Sequence, residues 1–140
     1  MFDVASKSAG AQIVLATSCD DRYPPENIID GSDETFWPTT GLFPQEFVLT
    51  FSSMMDVKRI NLTCYNVKRI IFEKSQAPEP LKFESLTERV LEKTDRTLQR
   101  EEFSVPGGTQ MLHLRVLIES GHDHFVSVHK LSVDGNALHG

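Results

Sequence analysis

The amino-acid sequence predicts an all-β domain folded as a jelly-roll β-sandwich, and two observations support this. Apolar residues recur at every second position through most of the chain, which is the period of a strand with one buried face. Segments rich in Pro and Gly separate these runs. About eight short strands, with turns at roughly 8–12-residue spacing, are typical of a sandwich or jelly roll.

The predicted strands are the segments in which apolar and polar side chains alternate. They span residues 46–51, 56–65, 67–73, 97–105, 111–119 and 125–134. The clearest is 111–119, in which Leu112, Leu114, Val116 and Ile118 share one face. The turns between them are predicted at 23–25, 77–80, 106–108 and 121–123, where Pro, Gly and Asp cluster.

Two segments depart from simple alternation. In 125–134, Val126 and Val128 have one parity and Leu131 the other, so a β-bulge is predicted near His129. Residues 85–95 carry apolar side chains near helical spacing, and we expect the one helical stretch of the chain there.

Length and charge limit the class of protein. A chain of 140 residues fits one domain, which we place at residues 1–140. Its net charge of −6 argues against nucleic acid as a partner, since phosphate binding needs clustered positive charge. The sequence has no apolar run of membrane-spanning length and no basic-then-apolar order at the N-terminus, so we expect a soluble intracellular protein without membrane insertion.

The chain has two cysteines, Cys19 and Cys64. Cys64 shares its strand face with Ile60 and Leu62, so a buried free thiol is predicted there. A disulfide between the two cysteines stays open, because two thiols are enough to form one.

The segment between Pro25 and Trp37 is the candidate binding site. It brings four oxygen-bearing side chains into nine residues around a Gly that suits a sharp turn: Asn27, Asp30, Asp33 and Thr35. Ca²⁺ takes six to eight such oxygens, many of them main-chain carbonyls of a tightly wound loop. The spacing is not that of an EF-hand, and a turn closed by hydrogen bonds alone is the alternative.

The order Asn27-x-x-Asp30-Gly31-x-x-x-Thr35-x-Trp37 resembles the first-loop signature of galactose-binding-like domains of the discoidin type. This resemblance implies an eight-stranded jelly roll that holds a structural Ca²⁺ in this loop. Residues 131–135 resemble the closing strand of those domains, which lies beside the same loop. Where such domains often place an acidic ligand, this chain has Lys130.

Four further segments together resemble the intraflagellar transport protein 25 family. They are Val14-Leu15-Ala16-Thr17-Ser18, Pro24-Pro25-Glu26-Asn27-Ile28-Ile29-Asp30-Gly31, Phe43-Pro44-Gln45-Glu46-Phe47 and Asp123-His124-Phe125-Val126-Ser127-Val128-His129. The resemblance implies a non-enzymatic subunit of the intraflagellar transport complex B. It also implies a heterodimer with a Rab-like small GTPase, contacts with other complex B subunits, and a place in the cilium or flagellum and the cytoplasm near the basal body.

Other readings of the sequence are a lectin, a zinc site and an enzyme. A calcium-dependent glycan-binding module would use exposed aromatics such as Tyr23, Phe43 and Phe125, whereas Trp37 is expected in the core. Residues 121–124, with two histidines, are simpler as a turn than as a zinc site. Nucleophile-elbow, P-loop and dinucleotide-binding motifs are absent from the sequence, which predicts a binding module without catalysis.

Overall fold

Antiparallel strands form most of residues 3–18, 20–32, 34–39 and 42–138, the parts of the chain described by a computed structural model. Within them the strands are β1 (Gln12–Ala16), β2 (Trp37–Pro38), β3 (Gln45–Tyr65), β4 (Val67–Ser75), β5 (Glu84–Val90), β6 (Gln99–Gly121) and β7 (Ser127–Ala137). Two short 3₁₀-helices span Lys7–Ala9 and Pro25–Ile29. No helix among the described residues has the length and apolar character needed to cross a bilayer.

The strands follow the order β2-β7-β3-β6-β4-β5, and β1 pairs with β3. Two layers result, because β3 and β6 are long enough to take part in both. The first layer consists of β1, the first part of β3, the second part of β6, β4 and β5. The second layer consists of β2, β7, the second part of β3 and the first part of β6. The buried apolar residues of both layers form one core, as expected for a sandwich.

Each of the two long strands joins two strands that the sequence predicted as separate. In β3 the register with β6 shifts between Thr50 and Met55, where the predicted segments 46–51 and 56–65 meet. In β6 the predicted turn at 106–108 is an interruption within the strand, since Thr109 pairs with Val57 and Ser104 with Arg59. A local interruption of this kind bends a strand without ending it.

The predicted alternation of buried apolar residues is confirmed in the strands that supply much of the core. Phe47 and Leu49 are fully buried, and Phe51 is nearly so. In β6, Leu114, Val116 and Ile118 are buried, but Leu112, predicted on the same face, is only half-buried.

The predicted bulge in the last strand is confirmed at His129. Thr63 pairs with Lys130 and Cys64 with Val128, so His129 is passed over in the register with β3. The predicted free thiol is also confirmed, because Cys64 is unpaired and fully buried.

The helix predicted for residues 85–95 is wrong, because most of that segment is the edge strand β5. Pairing with β4 sets its conformation, with Glu88 opposite Ile71 and Arg89 opposite Ile70. Leu91, after the strand, is buried in the core. Tertiary pairing outweighs a weak local spacing here, as is usual for short segments.

The start of the chain and the Pro25–Trp37 segment both lie against β7. Val4 donates its N–H to the carbonyl of Val133 at 2.9 Å, and the carboxylate of Asp3 accepts the N–H of Val133 at 3.0 Å. Along the same edge of β7, the one away from β3, Trp37 pairs with Val128. This pairing fixes the end of the candidate loop on the sandwich.

Candidate functional site

The candidate loop is anchored in the core at both ends. The 3₁₀-helix Pro25–Ile29 begins with Pro, whose fixed φ suits a first helical position, and it buries Ile28 and Ile29. At the other end Trp37 is fully buried, its ring meets Phe47 edge-to-face at 5.6 Å, and its indole N–H donates to the carbonyl of Ser18 at 2.9 Å. Trp37 is therefore a core residue, as predicted, and offers no face for a sugar.

Between these anchors the loop turns at Gly31, whose φ is +85°. A residue with a Cβ rarely adopts that conformation, which explains the Gly. Just before it, the carboxylate of Asp30 accepts the N–H of Ser32 at 2.9 Å, and the hydroxyl of Ser32 accepts the N–H of Glu34 at 3.1 Å. These bonds form the turn that the sequence offered as the alternative to a metal site.

The same turn brings several oxygen atoms together around the hydroxyl of Thr35. That hydroxyl lies 2.5 Å from a carboxylate oxygen of Asp30. It also lies 3.4 Å from each of the main-chain carbonyl oxygens of Asn27 and Ser32. One hydroxyl carries a single proton, so it cannot satisfy three acceptors at once. The cluster therefore has spare acceptor capacity.

The donor set fits a hard cation better than a softer metal. Every converging atom is oxygen, as Ca²⁺ prefers, and Asp30 adds one formal negative charge. No Lys or Arg within the described ranges forms an ion pair with Asp30. The described residues likewise contain no group of three or more His, Cys, Asp or Glu side chains that could hold a metal. The loop can therefore offer Ca²⁺ one carboxylate with neutral oxygens.

The structure places three of the four predicted ligand residues in this cluster. Asp30 and Thr35 contribute side-chain oxygens. Asn27 contributes its main-chain carbonyl, and its amide donates to the carbonyl of Phe36 at 3.1 Å, which closes the loop. Asp33 lies outside the described residues. Ser32 was missed by the sequence analysis because a main-chain carbonyl carries no residue-type signal.

Comparison with known proteins shows which family the chain belongs to. No family model matches it. The human protein named intraflagellar transport protein 25 homolog is 43% identical over 137 residues, covering 98% of this chain and 94% of that protein. Intraflagellar transport protein 25 of Chlamydomonas reinhardtii is 38% identical over 135 residues, covering 96% of this chain and 70% of its own length. The chain belongs to the intraflagellar transport protein 25 family.

Solved structures confirm the galactose-binding-like jelly-roll fold of this family member. A Clostridium perfringens module described as CpGH89CBM32-5, in complex with GalNAc-β-1,3-galactose, superposes with a TM-score of 0.80 at 16% identity, covering 94% of this chain and 99% of that chain. A putative chitobiase fragment from Bacteroides thetaiotaomicron superposes with a TM-score of 0.81 at 17% identity, covering 100% of this chain and 96% of that chain.

The aromatic residues that a lectin would use have different surroundings. Tyr23 stacks on Phe36 at 4.8 Å, and Phe43 packs against the core. Phe125 is 66% exposed and lines an open depression of about 480 Å³ together with Asp20, Arg22 and Tyr23.

The polar group of this depression is the pair of Asp20 and Arg22, which the sequence analysis missed. The guanidinium of Arg22 donates to the two carboxylate oxygens of Asp20 at 3.2 and 3.0 Å. This hydrogen bond lowers the pKa of the Asp20 carboxyl. The two residues are close in sequence, but nothing in the sequence shows that they lie beside Phe125.

Three of the described histidines, His113, His122 and His129, are engaged in separate structural contacts. The ring of His113 is buried and lies 2.8 Å from the hydroxyl of Thr50 and 2.9 Å from the carbonyl of Ala77. His122 lies 2.8 Å from the carbonyl of Leu91, and the ring of His129 stacks on Phe36. Their positions suit loop anchoring and packing.

Proposed function

We propose that this protein is a non-catalytic assembly subunit of the intraflagellar transport complex B. In this function it forms a heterodimer with a Rab-like small GTPase, joins other complex B subunits and supports cargo transport in the cilium or flagellum. The observation that carries the proposal is the near full-length similarity to proteins named for intraflagellar transport, at 43% identity to the human protein. Similarity over 98% of the chain leaves little of the sequence for a different function.

The chemistry of the described residues is in keeping with a binding role. Burial raises the pKa of the Cys64 thiol to about 12, which leaves it a poor nucleophile, and His113 and His122 bind main-chain carbonyls. Hydrolysis of GTP in such a dimer would belong to the GTPase.

A structural Ca²⁺ is part of the proposal. The ion would be held by the carboxylate of Asp30, the hydroxyl of Thr35 and the main-chain carbonyls of Asn27 and Ser32, with Asp33 as a further predicted ligand. Bound there, it would satisfy the surplus of oxygen acceptors and fix the loop against β7. Nothing in this role requires the ion to activate water.

The assembly proposal is tested by affinity purification of the tagged protein from ciliated cells, with mass spectrometry of what is retained. We expect a Rab-like small GTPase in stoichiometric amount, accompanied by complex B subunits. An unrelated galactose-binding-like module carrying the same tag is the control for binding through the fold alone. Recovery of the tagged chain without any small GTPase would contradict the proposed function.

The depression beside Phe125 supports a second candidate, a calcium-dependent glycan-binding module. It combines an exposed aromatic face with the Asp20–Arg22 pair, and such groups can bind sugar rings and hydroxyls. A glycan array separates the two functions. Binding that is lost in Phe125→Ala and on calcium removal would support the lectin, whereas an array without binders would remove it.

A further inference from the structure

One end of the second layer carries a depression of about 260 Å³ on its outward side. It is lined by residues from three elements, which are Tyr65, Arg96, Thr97, Leu98 and His129. Tyr65 ends β3, residues 96–98 lead into β6, and His129 lies near the start of β7. Strand pairing brings the three elements together, because Tyr65 pairs with Ser127 and the residue before it pairs with Gln99. The depression is therefore built on the sheet and not on a single loop.

The β-bulge of β7 adds a second side chain beside the depression. Val128 and Leu131 are both buried in the core, and two residues lie between them instead of the one that regular alternation allows. These two residues, His129 and Lys130, therefore both face outward, and both are half-buried. Bulges commonly re-aim a side chain next to a functional site. Here the bulge places a cation next to the ring that lines the depression.

Arg96 has a backbone conformation that its residue type rarely adopts. Its φ is +63°, in a turn where the hydroxyl of Thr94 donates to the carbonyl of Thr97 at 2.6 Å. Gly adopts this left-handed conformation at a lower cost than a residue with a Cβ. The arginine therefore costs backbone stability and supplies a guanidinium to the depression. Residues held in such conformations are common where ligands bind.

The cations at this end of the sheet have no acidic partner. Farther along the same outward side, Arg59 has two, Glu102 at 3.1 Å and Asp134 at 3.9 Å. Within the described residues, Arg96 and Lys130 form no ion pair with any carboxylate. The acidic residues of the 91–98 loop do not line the depression. Two positive charges are thus available here, in a protein whose net charge is −6.

The walls of the depression suit one apolar side chain. Tyr65 and Leu98 are half-buried, and the ring of His129 stacks on Phe36 at 5.2 Å. The hydroxyl of Ser127 lies 3.1 Å from the same histidine ring. A wall held in place in this way loses little freedom when a ligand enters. The volume is below the range of about 300–1,000 Å³ that is usual for drug-sized ligands, so a side chain fits better than a nucleotide or an oligosaccharide.

We propose that this depression binds a short acidic segment of a partner protein, through one aromatic or aliphatic anchor residue with carboxylates beside it. The anchor lies between Tyr65, Leu98 and His129, and one carboxylate binds the guanidinium of Arg96. Lys130 meets a second carboxylate of the same segment. Charge complementarity selects an acidic segment, because the two cations have no partner within the described part of the chain. This inference goes beyond the assembly function proposed above and does not depend on it.

Nuclear magnetic resonance titration of the ¹⁵N-labelled protein with synthetic pentapeptides tests the site. Each peptide has two glutamates on either side of a central Phe, Trp, Leu or Ser. Peptide concentrations up to about 2 mM make millimolar dissociation constants measurable. We expect the Phe, Trp and Leu peptides to shift the amide signals of Tyr65 and of residues 96–98 and 127–130. The Ser peptide should bind at least about fivefold more weakly, because it buries no apolar side chain.

Arg96→Gly is the decisive variant, because it removes the cation and relieves the unfavourable φ in one step. Its melting temperature should not fall, and its affinity for the Phe peptide should weaken about fivefold. Lys82→Gly is the matched control, since Lys82 is an exposed cation with a φ of +56° in another loop. The two variants have the same net charge, and Lys82→Gly should change the affinity less than about twofold.

The apolar contact is tested with a separate variant. Leu98→Ser keeps both cations and removes part of the wall that the anchor contacts. We expect its preference for the Phe peptide over the Ser peptide to be reduced, whereas Arg96→Gly should weaken the two peptides to a similar degree. Thermal unfolding of each variant shows that the fold is retained.

Three results would overturn the inference. The first is that the wild-type protein binds none of the Phe, Trp and Leu peptides. The second is that the shifted amide signals lie away from the depression. The third is that Lys82→Gly weakens binding as much as Arg96→Gly, which would reduce the effect to net charge. None of these results alters what affinity purification from ciliated cells should recover, so the assembly function is judged independently.

Discussion

The hydroxyl of Thr35 donates to the carboxylate of Asp30 at 2.5 Å, across the turn made by Gly31. This short contact joins the two side chains that the sequence placed five positions apart. It also brings the carboxylate to the main-chain carbonyls of Asn27 and Ser32, which lie 3.4 Å from the same hydroxyl. Asp30 and Thr35 can therefore each be tested as a calcium ligand.

Asp30→Asn should abolish stabilisation by calcium. A ligand that binds only the folded state stabilises it by about 2.7 kcal/mol at a concentration 100 times its dissociation constant. For a domain of this size that corresponds to a rise in melting temperature of about 10 °C. We expect differential scanning fluorimetry to show such a rise on adding CaCl₂ to the wild-type protein, its reversal by EDTA, and neither effect in Asp30→Asn.

The matched control for Asp30→Asn is Asp95→Asn, which removes an exposed carboxylate from another loop. It should keep the full calcium response. A wild-type melting temperature that EDTA and CaCl₂ leave unchanged would sink the calcium site.

Thr35 can be tested with a pair of substitutions that differ in one oxygen. Thr35→Ser keeps the hydroxyl, so the calcium-induced rise in melting temperature should be retained. Thr35→Val keeps the shape and removes the oxygen, so the rise should be smaller or lost. An equal calcium response in the two variants, measured in the same fluorimetric titration, would mean that the Thr35 hydroxyl is not a ligand.

The sequence predicted the two-layer β fold because alternation of period two is a direct consequence of burying one side of a strand. The same pattern predicted the bulge at His129, since an extra residue reverses the parity of the apolar positions on either side. It did not show that β3 and β6 run continuously through both layers. The residues at their register shifts resemble ordinary turn sequences, and only long-range pairing keeps them in the sheet.

The candidate site was predictable only in those residues whose side chains or backbone conformation carry the chemistry. Asp30, Thr35 and Gly31 carry their chemistry in their side chains or in their need for positive φ, so spacing reveals them. Ser32 contributes through its main chain, which any residue could supply.

Gln99 is a buried polar residue whose side chain should be essential for stability. Its amide oxygen accepts the N–H of Val67 at 3.0 Å, and its amide nitrogen donates to the carbonyls of Val67 and Glu92 at 2.8 and 2.9 Å. Gln99→Leu would leave these main-chain groups without that partner, at about 1 kcal/mol or more for each. We therefore expect urea denaturation to show a loss of about 3 kcal/mol in the free energy of unfolding.

Gln110→Leu is the control for Gln99→Leu, because it makes the same substitution at a half-buried position of the same strand. It should cost less than about 1 kcal/mol, as most substitutions outside buried networks do. If the two variants are equally stable, the hydrogen bonds of Gln99 do not hold β4 and the 91–98 loop to β6.

Cys64 should be unreactive in the folded protein. Burial, with a smaller contribution from the negative charge of Glu101, raises the pKa of its thiol from 9.0 to about 12. The thiolate is the reactive form, and at pH 8 it would make up about one part in 10⁴ of the folded thiol. We expect iodoacetamide at pH 8 to leave Cys64 unmodified in native buffer and to modify it fully in guanidinium chloride, as measured by mass spectrometry of the peptide that contains it.

The raised pKa of Cys64 also predicts how stability changes with pH. Between about pH 9 and pH 12 the unfolded state loses the thiol proton while the folded state keeps it, so rising pH favours unfolding by up to about 1.4 kcal/mol per pH unit. Cys64→Ala lacks this titration but shares every other ionisable group. The difference in unfolding free energy between wild type and Cys64→Ala should therefore fall as pH rises from 9 to about 11. A constant difference in urea titrations over this range would show that Cys64 ionises equally well in the folded protein, and rapid alkylation of native Cys64 would show the same.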